Sequence, residues 1–162
     1  MVTDGKENQL KGLKGEEFYK NYFIKLGYKD CQTAEKKSLY DSIGIDLINI
    51  PYLIQIKTGV QKNMNPGKVL TLMSAQIHTN VPKTHKIFTE NYNFFVIHHK
   101  NNDFNSDIIY MTLDTLEFYI SKYGNITYKS INTRNIKSVS EFNNIVGIEM
   151  TEFHNKVLKK EI

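Results

Sequence analysis

A single cysteine, Cys31, among 162 residues excludes an intramolecular disulfide and any multi-cysteine metal knuckle. Long hydrophobic runs are also missing. The most apolar stretches, such as Asn93 to His98, are strand-sized and fall far short of the roughly 18 residues that a membrane span needs. The segment from Met1 to Glu7 is polar and lacks an apolar signal segment, so a cytoplasmic protein with no membrane partner is expected. No repeat or low-complexity linker divides the chain, and its length fits one domain over 1–162. The three prolines read as punctuation: Pro51 in a turn, Pro66 at the end of a loop, Pro82 as a helix stop. Several catalytic signatures fail as well. Gly67-Lys68 lacks the upstream glycine spacing of a P-loop, and Val69 stands where a magnesium-binding Ser or Thr belongs. No nucleophile-elbow pattern supports a Ser-His-Asp triad. Adjacent His98 and His99 alternate across a strand and cannot share a zinc ion.

What is present is a composition of 40 % apolar and 23 % charged residues, which calls for a folded core rather than disorder. The net charge of +4 is unevenly spread. Residues 1–54 carry eight lysines against eight acids, whereas residues 55–100 carry six lysines against Glu90 alone. His78, His85, His98 and His99 lie in the same basic stretch. A basic segment between neutral ends suits a phosphate-bearing partner; the competing interpretation is a solvated lysine face. On the first view the histidines are phosphate contacts or ordinary, partly exposed side chains, and Tyr92 could stack on bases.

Periodicity predicts a helix from about Lys11 or Lys14 to Leu26, with Phe18, Tyr19, Tyr22, Phe23 and Leu26 on one stripe and Gly27 as its cap. Glu16 falls roughly 90° from the middle of that stripe and can border a cleft, while Glu17 should face water. After a polar connection, Ser42 to Ile50 reads as a β-strand with Asp46 inside it, and Leu53 to Thr58 as a second strand completing a hairpin. A helix is expected over Leu70–Thr79, strands over Tyr92–His98 and Asp107–Thr112, and a helix over Leu113–Tyr123 capped by Gly124. A last strand is expected over Ile126–Ile131 and a helix over Met150–Lys160. This order argues for a single α/β domain on a mixed sheet.

Chemistry concentrates in Gly44-Ile-Asp46 and, nine residues beyond Asp46, Gln55-Ile-Lys57. Strand alternation puts Gln55 and Lys57 on one face, and the hairpin brings Asp46 to the same edge. An acid, an amide oxygen and an ammonium would then converge, with Glu16 approaching from the helix. Hard oxygens of this kind suit Mg²⁺ or Mn²⁺: Asp46 as principal ligand, the Gln55 side-chain oxygen, and the backbone carbonyl of Ile56. Lys57 would orient or deprotonate the attacking water, or stabilise charge on the transition state.

These residues resemble the PD-(D/E)xK nuclease superfamily, and within it the small Holliday-junction-resolvase-like and YraN-like members. The resemblance runs over Gly12-x-x-x-Glu16, Gly27-Tyr28, Gly44-Ile-Asp46-Leu-Ile48 and Gln55-Ile-Lys57-Thr58; residues 70–123 match only in element order. It implies a restriction-endonuclease-like domain with a mixed central sheet flanked by helices, of αβββαβ type. It also implies metal-dependent hydrolysis of DNA, and a homodimer. Asp46 takes the place of the invariant metal-binding acid, Lys57 that of the lysine, Gln55 that of the second acid and Glu16 that of the first-helix glutamate. Lys62, Lys68, Lys83, Lys86 and Gln76 would contact the nucleic acid. Two departures stand out: Ile45 replaces the proline of the pattern, and Gln55 replaces an acid, removing one negative charge from the metal site. A catalytically inactive nucleic-acid-binding or assembly protein on the same fold is the alternative expectation.

Overall fold

In the computed structural model, residues 5–59, 64–100, 103–131 and 144–162 are described. The elements run α1 (Gly5–Leu26), β1 (Gln32–Thr33), α2 (Leu39–Ser42), β2 (Leu47–Ile48), β3 (Tyr52–Thr58), α3 (Pro66–Asn80) and α4 (Lys86–Thr89). They continue through β4 (Asn93–His99), β5 (Ile108–Thr112), α5 (Leu113–Tyr123), β6 (Lys129–Ser130), β7 (Ile145–Glu149) and α6 (Met150–Lys156). Five strands form one mixed sheet in the order β3-β4-β5-β7-β6, and β1 with β2 makes a separate two-stranded ribbon. β3 and β4 are parallel, joined through α3 as a crossover, with Lys57 opposite His98; β5, β7 and β6 pair antiparallel. This is an α/β fold with helices on both faces of a mixed sheet, as the element order predicts.

Strand alternation divides the core. Tyr52, Ile54 and Ile56 of β3, with Phe95 and Ile97 of β4, meet Tyr19 and Phe23 of α1, Leu116 and Tyr119 of α5, and Phe153 of α6. On the other face Leu53 joins Met73 and Ile77 of α3 and the loop residues Ile43 and Ile45. The caps follow local chemistry. Gly27, at φ +135°, donates its N–H toward the Phe23 and Ile24 carbonyls, and Tyr28 N–H returns to Phe23, closing α1. Asn65 accepts the Lys68 N–H and Pro66 opens α3, so this helix starts earlier than the apolar spacing suggests. α5 occupies the expected span, with Thr112 as its N-cap.

Three expectations are corrected. Ser42 to Ile50 is not one strand: Ser42 ends α2, Ile43 and Gly44 turn back through N–H bonds to Tyr40 and Asp41, and only Leu47–Ile48 is extended. That strand pairs with β1, inside the supposed polar connection, rather than forming a hairpin with β3. The β-branched run misleads because its isoleucines are buried as loop side chains against α3. The Ile126–Ile131 strand shrinks to Lys129–Ser130, and the sheet gains β7, which the sequence pattern did not reveal. His98 and His99, expected to be partly exposed, are buried. Among the described residues no helix is long and apolar enough to cross a membrane.

Candidate active site at the outer edge of β3

β3 is an edge strand, so the donors and acceptors on its outer side need partners other than a ladder. Asp46 provides them. Its N–H donates to the Ile54 carbonyl at 2.9 Å, and its Oδ2 accepts the Ile56 N–H at 2.6 Å. The carboxylate thus sits where a neighbouring strand's carbonyl would be, and the Ala34 N–H, donating to the Asp46 carbonyl at 2.8 Å, fixes its backbone. The N–H and C=O of one strand residue point to the same edge. The Ile56 carbonyl therefore faces the Asp46 side, as a backbone metal ligand would require.

Glu16 comes in from α1. Gly15, immediately before it, is buried so tightly that an added Cβ would lie 2.2 Å from Thr58 Cγ2, at the end of β3. Only glycine lets the helix approach this closely, and that approach brings the Glu16 carboxyl beside that of Asp46. Burial pushes the Asp46 carboxyl up to about 7; the Ile56 N–H opposes the shift, the neighbouring Glu16 carboxyl reinforces it, and Lys57 counteracts it. Burial also raises Glu16, helped by the nearby Asp41 and opposed by the Asp46 carboxyl and Lys36. Glu17 faces water and pairs with Lys20 at 2.6 Å.

Gln55 and Lys57 share the α3 face of β3, both partly exposed. The Gln55 amide rests against Gly44: a Cβ there would stand 3.3 Å from Gln55 Oε1. At φ +81°, Gly44 makes the turn that delivers Asp46, so one glycine serves both site residues. The structure therefore brings Glu16, Asp46, Ile56, Gln55 and Lys57 to one edge. Among the described residues no three His, Cys, Asp or Glu side chains converge; the oxygen set here is two carboxyls, an amide and a peptide carbonyl. Hard oxygens with few charges fit Mg²⁺ or Mn²⁺, which retain several waters.

The expected nucleic-acid contacts are more scattered. Lys68 is exposed in the first turn of α3, at the end of the sheet where β3 leaves the site. Lys83 and Lys86 are exposed beyond the other end of that 15-residue helix, about 22 Å away by its rise. Gln76 lies on the solvent side of α3, and Lys62 lies outside the described residues.

Sequence reasoning passed over a buried hub behind the site. Asp107, fully buried, accepts the Tyr19 hydroxyl of α1, His99 Nδ1–H at 2.6 Å and the Lys100 N–H at 2.9 Å. Phe18 stacks on the His99 ring at 4.6 Å, and His99 Nε2 has no hydrogen-bond partner among the described residues. On the opposite face His98 donates from Nε2 to the Gly59 carbonyl at 2.7 Å. The adjacent histidines were the available signal, since alternation places one on each face of β4.

Comparison with protein-family models, curated proteins and solved structures finds no match to this chain.

Proposed function

We propose that this protein is a Mg²⁺- or Mn²⁺-dependent nuclease that hydrolyses DNA phosphodiester bonds, on a restriction-endonuclease-like domain of PD-(D/E)xK type. The observation that carries this reading is the meeting of the Asp46 and Glu16 carboxyls at the strand edge that also holds Lys57, with Asp46 Oδ2 fixed by the Ile56 N–H. A buried carboxyl pair is unfavourable by itself, and a divalent cation held there would remove that cost. Asp46 and Glu16 would hold the cation, with Gln55 Oε1 and the Ile56 carbonyl as the further oxygens available to it. A bound Mg²⁺ or Mn²⁺ supplies Lewis acidity and lowers the pKa of an attached water. Lys57 places its ammonium beside the attacked phosphate, orienting the water and offsetting the charge that builds there. One P–O bond forms to water and one ester P–O bond breaks, leaving a phosphomonoester and an alcohol. DNA is the partner, and the resolvase-like resemblance carries with it a homodimer presenting two sites to two strands.

The decisive experiment incubates a labelled four-way junction and a matched linear duplex with Mg²⁺ or Mn²⁺, beside the Asp46→Ala protein. Cleavage lost in Asp46→Ala supports the reading, and a preference for the junction adds the resolvase specificity. One observation favours a second reading, a non-catalytic DNA-binding or assembly protein: with Gln55 in place of an acid, the site has two acids among the described residues. DNA binding without cleavage in either metal, unchanged by Asp46→Ala, would establish it instead.

A further inference from the structure

Lys57 stands one residue before the end of β3, and the chain then turns away through Gly59 at φ +81°. A lysine at a strand end is placed only as well as the turn that follows it. Here β4 grips that turn twice: the Gly59 N–H donates to the His99 carbonyl at 3.0 Å, and His98 Nε2–H donates to the Gly59 carbonyl at 2.7 Å. The second grip comes from the residue directly across from Lys57 in the parallel register, on the same sheet face. β4 is itself immobilised at this point, because Asp107 takes both His99 Nδ1–H and the next backbone N–H, and ties them to Tyr19. Tyr19 lies one helical turn beyond Glu16 on α1. The hub therefore fixes the two supports of the site, the helix that carries Glu16 and the strand against which Lys57 is held.

We propose that His98 is a positioning residue for Lys57, acting through the Gly59 carbonyl; the proposal rests on the catalytic role given to Lys57 above. The imidazole does not need to touch substrate. It needs its proton on Nε2, in a tautomer that the carbonyl selects, and it needs a ring packed firmly enough that the turn cannot swing. At 8 % exposure His98 is packed in that way. Loss of this grip would leave β3 paired with β4, the Gly59 N–H on the His99 carbonyl and the core intact, but would release the Gly59 carbonyl and halve the hold on the turn beyond Lys57.

The test compares His98→Ala with His98→Gln, whose amide Nε2–H can reach a carbonyl from the same position. The expected result in Mn²⁺ is single-turnover DNA cleavage about 100-fold slower in His98→Ala, with DNA affinity within roughly twofold of wild type, and at least about tenfold recovery in His98→Gln. His98→Ala cleaving within about threefold of wild type would overturn the proposal. So would equal losses in both variants accompanied by equal drops in melting temperature, which would mark His98 as a packing residue only. Failure of the wild-type protein to cleave in either metal would instead sink the nuclease reading. The positioning claim is then decided by the Lys57 ¹³Cε signal in lysine-labelled protein, assigned from its loss in Lys57→Arg. Movement of that signal to the position of a free lysine in His98→Ala supports the grip, and an unmoved signal overturns it.

Discussion

At the scale of single residues the site is a problem in charge. Asp46 has an ordinary carboxyl pKa near 3.8 in the unfolded chain and about 7 in the fold, so folding between those values takes up a proton. Its contribution to stability is therefore full below the unfolded value and is lost as the pH rises through 7. Without metal, the melting temperature should fall between pH 5 and pH 8. Asp46→Asn keeps an acceptor for the Ile56 N–H and removes the titration. It should flatten that profile and be the more stable protein at pH 8, by roughly 1–2 kcal/mol, since a carboxyl still in touch with water realises only part of the full shift. Mn²⁺ should raise the wild-type melting temperature most at pH 8 and leave Asp46→Asn unmoved, which thermal scans with EDTA and with Mn²⁺ would read directly. Gln55→Glu probes the same balance from the other side. A third carboxylate of nearly the same shape should tighten Mn²⁺ binding on the order of tenfold by calorimetry, while lowering the metal-free melting temperature at pH 8. Unchanged Mn²⁺ affinity would mean that Gln55 is not a ligand.

Elements decide whether those residues meet, and here the sequence was legible in part. α5 and the β3 and β4 strands could be read because each has one dominant pattern: helical spacing with Thr112 and Gly124 as caps, or apolar alternation beside a turn. Glu16 was placed correctly on the border of its stripe for the same reason. The Asp46 segment was misjudged, since β-branched residues bury equally well in a loop, and nothing local distinguishes an isoleucine packed on α3 from one in a ladder. The convergence still held because it depends on something simpler, a glycine-turned loop that brings Asp46 to an unpaired strand edge. β7 was unreadable because Val146 and Ile148 gain their meaning from β5, which is distant in sequence. The close approach of α1 was equally hidden, and it is testable. Gly15→Ala places a methyl group 2.2 Å from Thr58 Cγ2 and 3.5 Å from His99 Cδ2, so α1 must move off β3. We expect a loss of about 1–3 kcal/mol in urea unfolding, together with weaker Mn²⁺ binding as Glu16 leaves Asp46. Gly12→Ala, which meets no atom within 4 Å inside the same helix, serves as the comparison: it should gain about 0.5–1 kcal/mol and leave Mn²⁺ binding unchanged.

Over the whole molecule, the nuclease proposal makes charge the guide to the direction in which DNA would lie. The far half of the sheet, on the face that α3 covers only in part, opens into a groove lined by Ile108, Tyr110, Tyr128 and Gly147 with Glu149 and Glu152 at its rim. Its two carboxylates against Lys129 disfavour a phosphate backbone there. The exposed lysines of the described part of the basic stretch before residue 100 lie along α3 instead, Lys68 at the end near the site and Lys83 with Lys86 at the far end. If DNA runs along this helix with its scissile phosphate at Asp46, Lys68 meets a phosphate next to the cleaved bond. Lys83 and Lys86 then reach phosphates about 22 Å further on, roughly six or seven base pairs of duplex at about 3.4 Å each. Lys68→Ala should therefore weaken binding to every substrate and lower the slope of log affinity against log salt by about one. The double change Lys83→Ala with Lys86→Ala should weaken binding only when the duplex extends beyond that distance on the α3 side. Titrating a set of duplexes trimmed from that end, at several salt concentrations, separates the two. Equal losses for both variants on the shortest duplex would place the DNA across α3 rather than along it.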